Sequence, residues 1–316
     1  MTDIAPSLCG ATIPLVRAGN IHTTRETRTG ALTRVTRGIY VATRMWAPLA
    51  PWERYRVRVQ AAGMKHPDAV FHLESAASLH GLPIFGDPVR VHVLGDVGAR
   101  ARESGGVITH TTTQARGYES VGGMLACSLA DTVVDIARAR HPAVALAVAD
   151  AALRQDPALT VEQLVAMNES RRSSRGRRRA RWALHRATPL AESPLESIDR
   201  AVIEWLGFAD PELQVWIGHD RVDKWWPEVQ VAGESDGDLK YGGPAEQGNS
   251  ALRDRHRRDA RMFEHGVRAV PHWGWAEAVA VDPLEAILRS AGLRQELPRD
   301  AAPLFSLARA LNPRPR

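Results

Sequence analysis

The stretch ESPLESIDRAVIEWLGFADPELQVWIGHDRVDKWWPEVQVAGESDGDLKY, residues 192–241, sets the reading of the whole chain. Ser193 is a good N-cap, Pro194 suits the first helical turn, and Glu196 stands three residues after the cap. Leu195, Ile198, Val202 and Trp205 or Leu206 recur at helical spacing, and Gly207 ends the run. Leu213, Val215 and Ile217 then alternate as a strand does. Gly218, His219 and Asp220 read as a turn, and a second strand from Arg221 is limited by Pro227. A third strand is expected over residues 229–236. Successive strand side chains point to opposite faces, so Glu234 and Asp236 share one. Asp223 reaches that face if the second and third strands are neighbours.

Asp223, Glu234 and Asp236 on adjacent strands, with Glu196 on the preceding helix, are the donors that a hard divalent cation takes. Mg2+ (or Mn2+) prefers oxygen ligands, polarises a phosphoryl oxygen and acidifies a bound water. Each residue also has a plainer role. Glu196 suits a capping box, Asp223 lies between Arg221 and Lys224 as on a solvated hairpin, and Asp236-Gly237 is a common turn pair. The ordered combination, more than any one residue, favours a metal site.

The order Glu196, Asp223 within RVD, Glu234-x-Asp236-Gly237 and then Lys240-Tyr241 resembles the nuclease-like domain at the C-terminus of many actinobacterial proteins. That domain is similar to very-short-patch-repair (Vsr-like) endonucleases of the PD-(D/E)xK, restriction-endonuclease-like superfamily. The resemblance covers about residues 192–275. It implies a central mixed sheet flanked by helices, with Asp223 and Glu234 binding metal. Asp236 would stand where the superfamily often has its lysine, and Glu196 would be the helix carboxylate. The sequence departs from the pattern at Gly233 and Ser235, and the lysine is missing from its usual place. Lys240 supplies that charge only if the chain turns back after Gly237.

The 316 residues predict about two domains, and 44% apolar with 24% charged residues is ordinary for a soluble globular chain. A net charge of +5 fits a polyanionic partner without requiring one. No apolar run approaches a membrane span, the N-terminus is no convincing signal peptide, and a cytoplasmic location is expected. Cys9 and Cys127 form neither a disulfide framework nor a zinc cluster.

Residues 1–45 are short and basic, with helices expected over 13–18 and 23–29. Residues 32–41, LTRVTRGIYV, read as a hairpin through Val35, Ile39 and Val41, bent at Gly38. Arg34, Arg37 and Arg44 stand where phosphates could be met. This string looks like the wing of a winged helix and resembles the end of the N-terminal domain of AbiEi-type antitoxins. HLESAASLHGLP, residues 72–83, resembles the same group. The resemblance implies a DNA-binding regulator and a cognate toxin as partner.

Over residues 46–167 the pattern predicts helices at 52–63, 75–80, 128–137, 142–153 and 161–167, and strands at 68–71, 89–94 and 107–112. His92 and His110 could face one another, a pair more often structural than metal-binding. RRSSRGRRRAR follows, with Arg171, Arg172, Arg175, Arg177, Arg178, Arg179 and Arg181. Arginine forks suit phosphate, and closely spaced cations bind nucleic acid without reading sequence. A loop is expected after Tyr241, then a charged helix over 251–265 carrying Arg253, Arg255, Arg257, Arg258 and Arg261. Residues 267–273 and 283–290 read as a last strand and helix, and NPRPR as a disordered end.

The expected architecture is therefore α/β, α+β overall. It comprises a winged-helix-like segment (1–45), a middle α+β domain (46–167), an arginine-rich linker (168–185), a nuclease-like domain (186–292) and a tail (293–316). There is no P-loop, dinucleotide fingerprint, HExxH or GxSxG string. Two functions compete: a DNA-directed, metal-dependent endonuclease, and a non-catalytic antitoxin-like DNA-binding regulator on a degenerate nuclease fold.

Overall fold

The computed structural model describes residues 13–18, 26–98, 100–236 and 245–312, with the backbone alone over 245–251. The chain forms two compact units. Of the described residues, the first takes those up to 139, 163–177 and 312, and the second those from 140 to 162 and from 178 to 311. Both mix helices with sheet, so the class is α+β.

The first unit opens with an antiparallel sheet of β1 (Leu15–Arg17), β2 (Leu32–Thr36) and β3 (Ile39–Ala42), in the order β1-β3-β2. Ile39 and Val41 are buried, and Gly38 makes the hairpin turn at φ 80°, as the alternation predicts. Residues 13–18 are no helix, because Leu15–Arg17 pair with Ile39–Val41 along an open strand edge. Of the second helix expected there, residues 23–25 lie outside the described residues and 26–28 are helical.

Helices α1 (Thr43–Trp46) and α2 (Pro51–Lys65) follow, then β4 (Val70–Phe71) and α3 (Leu73–His80). Gly63 does not stop α2. A Cβ there would come 2.6 Å from Met124 Sδ, so the glycine permits close packing inside the helix. Helix α3 starts at Leu73, two residues before Ser75, with His72 at the N-cap. Ser75 is buried instead, and its hydroxyl accepts the His92 N–H at 2.8 Å and bonds the Tyr55 hydroxyl at 2.8 Å. Strands β5 (Val91–Leu94), β6 (Arg102–Ser104), β7 (Val107–His110), β8 (Tyr118–Val121) and β9 (Met124–Cys127) complete a mixed sheet in the order β6-β7-β5-β4-β9-β8. Helix α4 (Leu129–Ala139) closes this part of the chain.

Helix α5 (Pro142–Gln155) belongs to the second unit, and α6 (Val161–Ser170) leads back to the first. Residues 177–185 of the stretch expected as a linker are helical, in α7 (Arg177–Arg186), which buries Ala180, Ala183 and Leu184. Helix α8 (Pro194–Trp205) packs on α5. Between them the buried Asp150 accepts bonds from Thr188 N at 2.8 Å, Ser197 Oγ at 2.7 Å and Arg200 Nη1 at 3.1 Å. These donors satisfy a carboxylate that would otherwise be costly to bury.

The second sheet joins β10 (Glu212–Ile217), β11 (Asp220–Trp226), β12 (Val231–Ser235) and β13 (His272–Trp273) in sequence order, antiparallel except for the last pair. Helix α9 (Ala245–Glu264) begins six residues before the expected 251, so residues 245–250 are helix where a loop was expected. Helices α10 (Trp275–Ala280), α11 (Asp282–Ser290) and α12 (Ala301–Leu311) end the unit. Helix α12 falls in the expected tail and buries Leu304, Leu307 and Leu311. No described helix is long and apolar enough to cross a membrane.

Candidate functional site

Helix α8 and strands β11 and β12 carry the candidate acids. The Ser193 hydroxyl accepts the Glu196 N–H at 3.2 Å, as the capping reading predicts. The Glu196 carboxylate reaches one residue past the cap, accepting the Glu192 N–H at 2.9 Å and the Gln214 amide at 3.1 Å. Strands β11 and β12 pair Lys224 with Gly233 and Trp225 with Ala232, so the same antiparallel register sets Asp223 against Glu234. Asp223 Oδ2 also accepts the Ser235 N–H at 2.9 Å.

Asp223 acts on both of the other carboxyls. Burial, then the charge of Asp223, raises the Glu196 carboxyl above its usual range. The same two causes push Glu234 up to about 7, against the pull of Arg258. Glu234 is only 5% exposed.

Arginines from α9 meet Glu234 and, further along the chain, Asp236. Arg258 donates through Nη1 and Nη2 to the two oxygens of Glu234, each at 2.9 Å, and also bonds the Arg221 carbonyl. Arg255 pairs with Asp236. Arg261 grips Asp220 at 2.8 and 2.6 Å. Positions 255, 258, 259 and 262 fall on one helical face, and Met262 at the end of that series is fully buried.

His272, beside Glu234 on β13, extends the network. Its Nδ1 lies 3.0 Å from Asp236 Oδ2, and its Nε2 lies 3.2 Å from both oxygens of Asp259. Burial works against its charged form, but Asp236 and Asp259 outweigh this and raise its pKa. With carboxylates on both ring nitrogens, the imidazolium is the form that satisfies both bonds.

Lys224 serves another set of residues. It is fully buried, with Nζ 2.9 Å from Asp199 Oδ1, 2.7 Å from Ser235 Oγ and 5.5 Å from the centre of the Trp273 ring. Asp199 also accepts from Ser235 Oγ at 2.6 Å and Trp273 Nε1 at 2.7 Å. Gly233 and Ser235 belong to this arrangement. A Cβ on Gly233 would lie 2.5 Å from the Trp273 ring and 2.9 Å from Trp226. Trp226 is core, with its indole N–H on the Ala209 carbonyl at 2.8 Å.

The structure thus brings Glu196, Asp223 and Glu234 together and joins Asp236 to them through His272 and the arginines. Lys240 lies outside the described residues. The donors do not fit a metal ion as they stand. Among the described residues no group of three or more His, Cys, Asp or Glu side chains could hold one. Both oxygens of Glu234 face a guanidinium, and Asp236 faces an arginine and a histidine. Sequence reading missed His272 and Asp259. The helical spacing of Arg255, Arg258 and Asp259 was a signal that these residues share a face, but a lone His272 offered none.

The expected phosphate-contacting arginines divide. Arg34 and Arg37 are exposed on the β2–β3 hairpin, and Arg172, Arg175, Arg178, Arg179 and Arg181 are also exposed. Arg171 is a correction: it is 5% exposed and paired with the buried Asp131, which leaves no fork for a phosphate. Arg177 is half-buried and bonds the Arg171 carbonyl, so it too holds the first unit together. His92 Nδ1 and His110 Nε2 do meet, at 2.8 Å, across the parallel β5–β7 pair, and His72 stands edge-on to His110 with centroids 5.3 Å apart.

No family profile matches the chain, and no solved structure matches it. Two proteins of Mycobacterium tuberculosis do. They are "Uncharacterized protein MT2308" of strain CDC 1551 / Oshkosh and "Uncharacterized protein Rv2248" of strain ATCC 25618 / H37Rv. Each is 38% identical over 208 residues, covering 64% of this chain and 73% of the relative. The chain belongs to one family with them.

Proposed function

We propose that this member of the family of the two mycobacterial proteins is a nucleic-acid-binding protein whose second unit carries a nuclease-like acidic site neutralised by arginine in place of a metal ion. The observation that carries this reading is the double bond of Arg258 to Glu234, at 2.9 Å on each oxygen. A guanidinium there supplies the positive charge that a cation would supply at a catalytic site, and it engages both oxygens of Glu234. The order of helix α8 and then strands β10, β11 and β12 supports a restriction-endonuclease-like core, and the β2–β3 hairpin supports a winged-helix-like start.

The exposed Arg34, Arg37, Arg172, Arg175, Arg178 and Arg179 would provide phosphate contacts. Such contacts give affinity that falls steeply with salt and is nearly independent of sequence. Fluorescence anisotropy with labelled duplex DNA, single-stranded DNA and RNA across a salt series tests this. Arg178→Ala/Arg179→Ala should weaken binding and flatten the salt dependence by about 0.9 for each phosphate no longer neutralised. Affinity no better than that of an unrelated protein of equal net charge would sink the reading.

A second reading, a Mg2+-dependent phosphodiesterase, is favoured by one observation: burial, and then Asp223, hold the Glu196 and Glu234 carboxyls up, a charge balance that a cation would offset. Calorimetric titration of Mg2+ and Mn2+ into the wild type and Asp223→Ala/Glu234→Ala decides between the two. Saturable binding that the double variant loses, with divalent-dependent cleavage of DNA, would replace the first reading by the second.

A further inference from the structure

Arg255, Arg258 and Arg261 rise along α9 at intervals of three residues, and each rests on a carboxylate of the sheet: Asp236, Glu234 and Asp220. Neighbours at this spacing stand roughly 5–6 Å apart, so the helix offers guanidinium forks in a row. A guanidinium fork fits a carboxylate and a phosphate with the same two-bond geometry. The carboxylates therefore occupy the arginines as a phosphate backbone would. On the same helix Arg253 and Arg257 are exposed, with Arg257 75% exposed and only 3.6 Å from Asp254.

We propose that Arg255 and Arg258 are phosphate-binding residues of this nucleic-acid-binding protein, covered in its free state by Asp236 and Glu234 acting as an internal phosphate mimic, and that binding exchanges carboxylate for phosphate. The inference rests on the nucleic-acid reading and adds to it which residues meet the backbone and what holds them back. Binding through these two arginines gives up two ion pairs, so the free protein discriminates against weak or isolated anions. A polyanion that engages the exposed arginines first is held close enough to displace the carboxylates.

The test is a mutant cycle on the full chain, read by anisotropy with a labelled mixed-sequence duplex DNA over a salt series. Glu234→Gln/Asp236→Asn removes the mimic and keeps the side-chain shapes. It should tighten binding about tenfold. Glu212→Gln/Glu228→Gln removes at least as much negative charge at exposed positions of the same unit, and should tighten it far less. Arg255→Gln/Arg258→Gln should make the salt dependence shallower by about 2, close to 0.9 for each phosphate given up. Placed on the Glu234→Gln/Asp236→Asn background, the arginine changes should erase its gain, a non-additivity that independent sites do not show.

Salt-dependent binding with equal gains from the two acid pairs would overturn the exchange and leave the nucleic-acid reading standing. An unchanged salt dependence in Arg255→Gln/Arg258→Gln would do the same. Absence of salt-dependent binding in every form would overturn both. Thermal unfolding of each variant, run alongside, separates weaker binding by a folded protein from unfolding.

Discussion

Arg258 sets its two terminal nitrogens on the two carboxylate oxygens of Glu234, each at 2.9 Å, and so ties helix α9 to strand β12. Glu234 has little water around it and Asp223 beside it, and Arg258, ahead of His272, is the main group that offsets both. Arg258→Gln should lower stability by about 1–3 kcal/mol, the cost of leaving a mostly buried carboxylate without its donors. Urea unfolding measures it, and an unchanged midpoint would show that the ion pair holds nothing in place.

Gly233→Ala should destabilise the second unit by about 1–3 kcal/mol through overpacking against Trp273 and Trp226. Circular dichroism at the melting transition reads this directly. A variant as stable as the wild type would mean that the Trp273 ring yields freely.

Lys224 and Asp199 are both fully buried and 2.9 Å apart. Lys224→Met strips the cation from an aspartate that keeps only its Ser235 and Trp273 bonds, and should cost about 3–5 kcal/mol. Lys224→Met/Asp199→Leu removes both charges and should recover part of that loss. If the double variant is the less stable of the two, the buried pair contributes more than its mutual charge.

Acid should loosen the first unit. His72 has its pKa lowered from 6.5 to about 3, first by burial and then by His110, Arg116 and His92. The unfolded chain takes up this proton as pH falls through 6.5, and the folded chain does not until about 3. Stability is therefore whole above that window and falls within it by about 1.4 kcal/mol per pH unit for this group. Denaturant titrations at a series of pH values should show the slope, and His72→Gln should reduce it. An equal slope in the variant would assign the acid sensitivity to other groups.

Much of the second unit is legible in the sequence because its signals are local. Ser193-Pro194 with the Leu195, Ile198 and Val202 spacing marks α8 within a residue of where it forms, since capping and helical periodicity need only the chain itself. The alternation of Leu213, Val215 and Ile217 marks β10 in the same way. Residues 15–17 are not legible as a strand because three residues hold too little pattern, and their pairing with β3 across the sheet settles their form. Ser75 reads as a cap because a serine before an apolar run looks the same whether its hydroxyl caps a helix or holds a buried strand amide.

The sequence by itself determined the capped helix, the strand parity that sets Asp223 apart from Lys224, and the presence of acids and arginines in quantity. Which acid meets which arginine was decided only by the tertiary structure. A charged side chain takes its partner from whatever element crosses it, and nothing local in residues 252–264 indicates that α9 lies along Asp220, Glu234 and Asp236. The same holds for Arg171, which looks like its exposed neighbours in the string and differs only because Asp131 lies buried beside it.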